Sequence, residues 1–249
     1  MGLLSKLGIG IGSHTARDVS RPSPFAGRAH SPGTLLPATG SPKAPEMQQH
    51  NRVSNGLKEF LWNLDGLGRG TLLDLGPAWQ TTLTFFIERG FRVTSDDLLR
   101  SWKAFLDEEE VRLKNAVTSA DNVDLTAAGR AVRFLQDNLK YPASSFDAVL
   151  LWDILDYIEP TAAKQCVACL TELLRPGGIV FAMFHSKKPD IFQRYRIADS
   201  STLQVISSAP LCPAQRVYQN REIQDLFCRF RTTKSFVGRD QLRETLFVK

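Results

Sequence analysis

The chain has 249 residues, 43% hydrophobic and 23% charged, enough to bury a full core and within the range of an ordinary globular protein. Its net charge of +5 suggests a polyanionic partner only until it is located. Residues 1–52 hold six of the 31 basic and two of the 26 acidic side chains, which leaves 25 basic against 24 acidic in the remainder and no electrostatic excess there to steer a nucleic acid.

The opening stretch Met1–Gly12 is too short, too glycine-rich and too interrupted by Lys6 for a signal sequence or a membrane span, and Lys6 also breaks the myristoylation pattern. From Ser13 to about His50 proline, serine and glycine dominate without an apolar period. Residues 1–52 therefore read as a disordered tail and 53–249 as one domain. Four cysteines with one close pair make no disulfide framework and fit a reducing cytoplasm.

Leu57, Phe60, Leu61 and Leu64 fall at helical spacing behind the potential caps Ser54 and Asn55, and Gly66 and Gly68 stop that helix. Gly70-Thr-Leu-Leu-Asp-Leu-Gly is a nearly continuous apolar run, as expected of a strand covered on both faces. Leu83, Phe86 and Ile87 stripe a second helix up to Gly90, and Phe91-Arg-Val-Thr-Ser returns as a strand, completing one βαβ unit. Leu98, Leu99, Trp102, Phe105, Leu106 and Leu113 then keep a helical period through Asp107-Glu-Glu-Glu, which reads as a solvated helix face rather than a metal site.

The segment Ala127–Leu139 is ambiguous, since Val132, Leu135 and Leu139 also suit a helix; a short strand over Val132–Gln136 is preferred. Phe146-Asp-Ala-Val-Leu-Leu-Trp is the clearest buried strand. Val167, Leu170 and Leu174 stripe the next helix, Arg175-Pro-Gly-Gly ends it, and Ile179–Phe184 is again strand. Residues 183–220 carry no readable pattern. Ile223, Leu226, Phe227 and Phe230 mark a last helix from Asn220, and Thr232–Val237 and Leu242–Val248 read as a hairpin at the sheet edge joined through Gly238-Arg-Asp.

Leu-Asp-Leu-Gly after the first main strand, the pair Asp96-Asp97 closing the second, Phe146-Asp-Ala-Val-Leu, and Leu173-Leu-Arg-Pro-Gly-Gly before the fifth together resemble the class I S-adenosylmethionine-dependent methyltransferases. The resemblance covers roughly residues 55–249. It implies an α/β, Rossmann-like fold: a seven-stranded, mostly parallel sheet with an antiparallel last strand, helices on both faces, and S-adenosylmethionine at the carboxyl ends of the early strands. By position it places Asp74, Gly76, Pro77 and Ala78 along the methionine part of the cofactor and Asp97, or Asp96 one residue earlier, at the ribose hydroxyls. Asp137 and Asn138 fall near the adenine, and Trp152 and Asp153 beside the transferring methyl.

The sequence departs from the family pattern at the glycine loop. Ala78 and Gln80 stand where further glycines are expected, Pro77 removes an N–H donor, and Trp79 adds bulk. Methyl transfer needs mainly alignment, and any base must lie at the carboxyl edge, where Asp153, Asp156, Tyr157 and His185 are candidates, Asp153 and His185 foremost. Cys166-Val-Ala-Cys169 lies within a helix stripe and reads as packing, not zinc or redox chemistry. Two functions follow: a methyltransferase with an unidentified acceptor, or a non-catalytic methyltransferase-like module for protein association or cofactor sensing.

Overall fold

The computed structural model describes residues 48–116 and 126–249, so most of the expected tail lies outside the described residues. Its last residues do not. Gln49–Val53 forms strand β1, inside the segment expected to be tail. The chain continues through α1 (Asn55–Leu64), β2 (Gly70–Asp74), α2 (Gln80–Ile87), β3 (Phe91–Ser95), α3 (Leu98–Ala116), α4 (Ala127–Asn138) and β4 (Phe146–Trp152). It ends with a 3₁₀ turn (Ile154–Asp156), α5 (Pro160–Leu173), β5 (Leu174–His185), β6 (Gln193–Asp199), β7 (Thr202–Ser207), α6 (Asn220–Leu226), β8 (Arg231–Val237) and β9 (Leu242–Val248).

The main sheet has six strands in the order β3-β2-β4-β5-β9-β8. β2 is parallel to β3 and β4, and β4 to β5, while β9 runs antiparallel to both β5 and β8. Among the described residues the main sheet lacks the expected seventh strand, because Val132–Gln136 is helical. In α4 Thr126 Oγ1 accepts the Gly129 N–H at 3.1 Å, Ala131, Phe134 and Leu135 are buried, and Val132 points to solvent. A cap, one apolar face and a single β-branched residue favour the helix. α4 packs on α3 and α5, and β3 is left as the sheet edge.

A second, antiparallel sheet, β1-β7-β6, is not foreseen in the sequence reading. Its signal is period two: Tyr195 and Ile197 on β6 and Leu203 and Val205 on β7 turn inward. On one face of the main sheet the core joins Leu98, Trp102, Phe134, Cys166, Leu170 and Phe227; on the other it joins Leu57, Phe60, Phe86 and the inward residues of the small sheet. No helix among the described residues is long and apolar enough to cross a membrane.

Candidate active site

Asp74 ends β2 at the carboxyl edge of the sheet, and its Oδ1 accepts the Gly76 N–H at 2.9 Å, closing the loop onto itself. The same oxygen accepts the indole N–H of Trp152 at 2.7 Å. Trp152 sits at a register shift between β4 and β5 and has φ +54°, a left-handed conformation that a bulky side chain adopts only under constraint. Its ring lies directly on the loop glycine: a Cβ at Gly76 would be 2.5 Å from Trp152 Nε1. The sequence makes Trp79 the obvious obstruction, but it is Trp152, arriving from β4, that fills the cradle. Pro77 and Ala78 lead on to α2, Ala78 exposed.

Strand β6 then covers the edge residue by residue. Tyr195 stacks on Trp152 with centroids 6.1 Å apart and an interplanar angle of 12°, and its hydroxyl donates to Asp153 Oδ2 at 3.3 Å. Arg194 pairs with Asp97 at 3.1 Å, the Arg196 guanidinium lies 5.5 Å from the Trp79 ring centroid, and the Ile197 N–H donates to Thr82 Oγ1 at 3.0 Å. Asp97 Oδ1 also accepts the Arg100 N–H at 3.2 Å, so it caps α3. Residues 183–220, unreadable in the sequence, thus supply the strand that lies over the expected cofactor path. The alternation of Tyr195 and Ile197 is the signal that could have found it.

The expected nucleoside end differs. Asp96, Leu98, Ser101, Asp137, Asn138, Lys140 and Tyr141 line a cavity of about 300 Å³, which brings Asp96, Asp137 and Asn138 together across β3 and α4; Gly76 and Asp97 are not in its wall. Asp96 Oδ2 accepts the Tyr141 hydroxyl, Asp137 pairs with Lys140 at 3.1 Å, and Asn138 donates to the Phe134 carbonyl at 2.9 Å. The residues expected around S-adenosylmethionine divide in two: those expected at its nucleoside end line a cavity, whereas Gly76, expected at its methionine end, lies against Trp152 and beside β6.

Beside this groove lies a buried acid–imidazole cluster. Asp156 Oδ2 accepts the His185 backbone N–H at 2.7 Å and lies 3.0 Å from His185 Nδ1, while His185 Nε2 is 3.8 Å from Asp153 Oδ2. Burial opposes charge on the imidazole, but the Asp156 hydrogen bond and the charge of Asp153 outweigh it and raise the His185 pKa. Burial pushes Asp153 up to about 6, His185 partly offsetting it. A carboxylate raised toward neutrality is suited to accept a proton, and the neighbouring imidazole, its own pKa raised, is suited to balance it. Of the two foremost candidates, Asp153 is the carboxylate raised toward neutrality and His185 is the group that partly offsets it, 3.8 Å away.

Asp74 carries a related signature. Burial raises its pKa to about 6 against the lowering effect of the Trp152 and Gly76 hydrogen bonds, and its Oδ2 has no partner. An acid with a raised folded-state pKa binds its proton more tightly folded than unfolded, so stability falls as pH rises from about 4 to about 6, by on the order of 3 kcal/mol for a shift of about two units. Thermal midpoints across pH 4–7.5 are therefore expected to fall more in the native chain than in Asp74→Asn. An identical slope in the two proteins would remove Asp74 as the source.

Two further expectations resolve on packing. Cys166 is fully buried in the core, its thiol pKa pushed up by burial, and Cys169 is half-buried, both unbonded. The acidic run is not all solvated. Glu109 turns inward to Arg133 at 2.6 Å, tying α3 to α4.

No family model and no curated protein matches the sequence. Among solved structures the chain is similar to a 1,6-didemethyltoxoflavin-N1-methyltransferase from Burkholderia thailandensis with S-adenosylhomocysteine bound, at 18% identity over 78% of each chain and a TM-score of 0.41. It is also similar to an S-adenosylmethionine-dependent methyltransferase from Mesorhizobium loti, at 14% identity over 77% of this chain and 96% of that one, TM-score 0.45. A methyltransferase from Methanosarcina mazei aligns at 14% identity over 73% and 93%, TM-score 0.42.

Proposed function

We propose that this chain is an S-adenosylmethionine-dependent methyltransferase acting on a small acceptor at the carboxyl edge of its sheet, with β6 as the cover of the cofactor groove. The observation that carries this reading is the cavity between Asp96, Asp137 and Asn138, opening at the edge where Gly76, Asp97 and Asp153 also lie. On this reading Asp96 and Asp97 hold the ribose hydroxyls and Asp137 and Asn138 the adenine. The Gly76–Ala78 loop takes the methionine end once β6 lifts. The cofactor supplies the electrophilic methyl group, and Asp153 takes a proton from the acceptor.

The seat of Trp152 on Gly76 favours a second reading, a non-catalytic module that keeps the fold for protein association. Calorimetric titration of S-adenosylhomocysteine into the full chain separates the two. Arg194→Ala removes the pair that ties β6 to Asp97, so it is expected to tighten binding about tenfold over the native chain, the worth of a charge-assisted hydrogen bond. Absence of binding in the native chain and in Arg194→Ala alike would eliminate the enzyme reading and leave the second.

A further inference from the structure

Strand β1 has no apolar hold on the molecule. Gln49, His50, Asn51 and Val53 are exposed, and Arg52 alone is part-buried. Its place beside β7 therefore rests on the antiparallel ladder from Gln49–Ile206 to Val53–Thr202, and on the ion pairs of Arg52 with Asp240 and with Glu244 on β9. The ladder is closed at both ends: the Ser207 N–H donates to the Gln48 carbonyl at 2.9 Å, and the Ser54 N–H to the Ser201 carbonyl at 2.8 Å. Hydrogen-bonded pairs alternate along such a ladder, so the backbone groups of His50 and Arg52 face β7 and those of Asn51 point away.

The rest of the small sheet leans on this strand. β6 and β7 form a hairpin turned at Asp199–Ser201, and two strands alone are marginal in water without a third strand or a packed face. Leu203 and Val205 give β7 its inward face, and β1 is its second neighbour in the sheet. The turn of the hairpin reaches the main body by the same route: Ser54, whose N–H holds Ser201, also caps α1, its Oγ accepting the Leu57 N–H at 2.9 Å. Along β6 itself the polar ties to Asp97, Asp153 and Thr82 are single contacts. We infer that β1 is a strap: it fastens the small sheet to β9 and keeps β6 down over the carboxyl edge, so that detaching β1 lets β6 and β7 open together while the main sheet stays folded. The consequence for cofactor entry rests on the reading of β6 as the cover of the groove.

Hydrogen exchange of the full chain, followed by mass spectrometry, tests the strap without any cofactor. In the native protein the amides of β6 and β7 are expected to exchange ahead of those of β4 and β5. His50→Pro, which removes a ladder donor and leaves the Arg52 clamp in place, is expected to speed exchange in β6 about three- to tenfold, the range of one neutral hydrogen bond. Asn51→Pro, at a position whose N–H faces away from β7, is expected to match the native chain. Arg52→Met combined with Glu244→Gln removes the clamp but keeps an acceptor for the Gly56 N–H, and is expected to speed exchange in β6 at least tenfold. Native protection of β6 equal to that of β4 and β5, or β6 exchange unchanged in His50→Pro or in the double variant, would overturn the strap. Calorimetry with S-adenosylhomocysteine on the same variants separates the two readings: a loosened β6 without tighter binding would uphold the strap and overturn the enzyme reading of the edge beneath it.

Discussion

Trp152→Ala is expected to destabilise the protein by about 3–5 kcal/mol, the range for truncating a buried aromatic side chain. The substitution removes the donor to Asp74, the stack on Tyr195 and the edge contact to Phe181 with centroids 6.0 Å apart. Trp152→Gly is expected to lose about 1 kcal/mol less than alanine, since glycine adopts φ +54° without steric penalty. Urea denaturation at unchanged m-value reads the difference. Both variants also open the space over Gly76, so on the enzyme reading they bind S-adenosylhomocysteine more tightly than the native chain although they are less stable. Native-like stability of Trp152→Ala would show that the indole does not hold the edge closed.

The second large effect lies away from the groove. Glu244, 2% exposed on β9, accepts the Gly56 N–H at 2.6 Å and pairs with Arg52, whose Nε also donates to Asp240 at 2.7 Å. Glu244→Ala leaves a part-buried guanidinium with a weaker partner and a buried, unpaired amide, and is expected to cost about 3 kcal/mol. Glu244→Gln keeps an acceptor for Gly56 and is expected to lose roughly half as much. A loss below about 1 kcal/mol in Glu244→Ala would mean that water reaches Arg52 and the clamp is not a buried pair.

Gly56 explains why this contact has no substitute: a Cβ there would fall 2.7 Å from Glu244 Cβ. Arg52, counted with the tail when charge alone is considered, thus anchors β1 to β9 of the main sheet. Position along the chain assigned it to the wrong unit, since its partners Asp240 and Glu244 lie nearly 200 residues away.

Much of the fold is legible because each element states its own period. Leu57–Phe60–Leu64 faces inward on α1, the apolar runs of β2 and β4 lie in mid-sheet, and the hairpin through Gly238-Arg-Asp closes the sheet edge. The segment 132–136 was not legible, since both periods fit its few apolar residues. The Thr126 cap and the arginine–glutamate contact to α3 settle it as helix. That the expected site positions lie along one sheet edge was readable, because strand ends fix which loops share an edge. Their pairing was not: Asp97 with Arg194, Trp152 with Asp74 and Tyr195, and Asp156 with His185 each join segments whose spacing carries no signal.

By itself the sequence determined the alternation of strands and helices, the residues that gather at the carboxyl edge, and the near-neutral charge of the body. Periodicity, turn residues and composition act locally, and a strand covered on both faces must be apolar wherever it lies. Only the tertiary structure decided what that edge contains: Trp152 on Gly76, β6 across the groove, and a carboxylate raised toward neutrality beside a histidine whose pKa is also raised. Those properties come from burial and from neighbours distant in sequence. Desolvation and hydrogen-bond satisfaction exist only once the chain has closed around them.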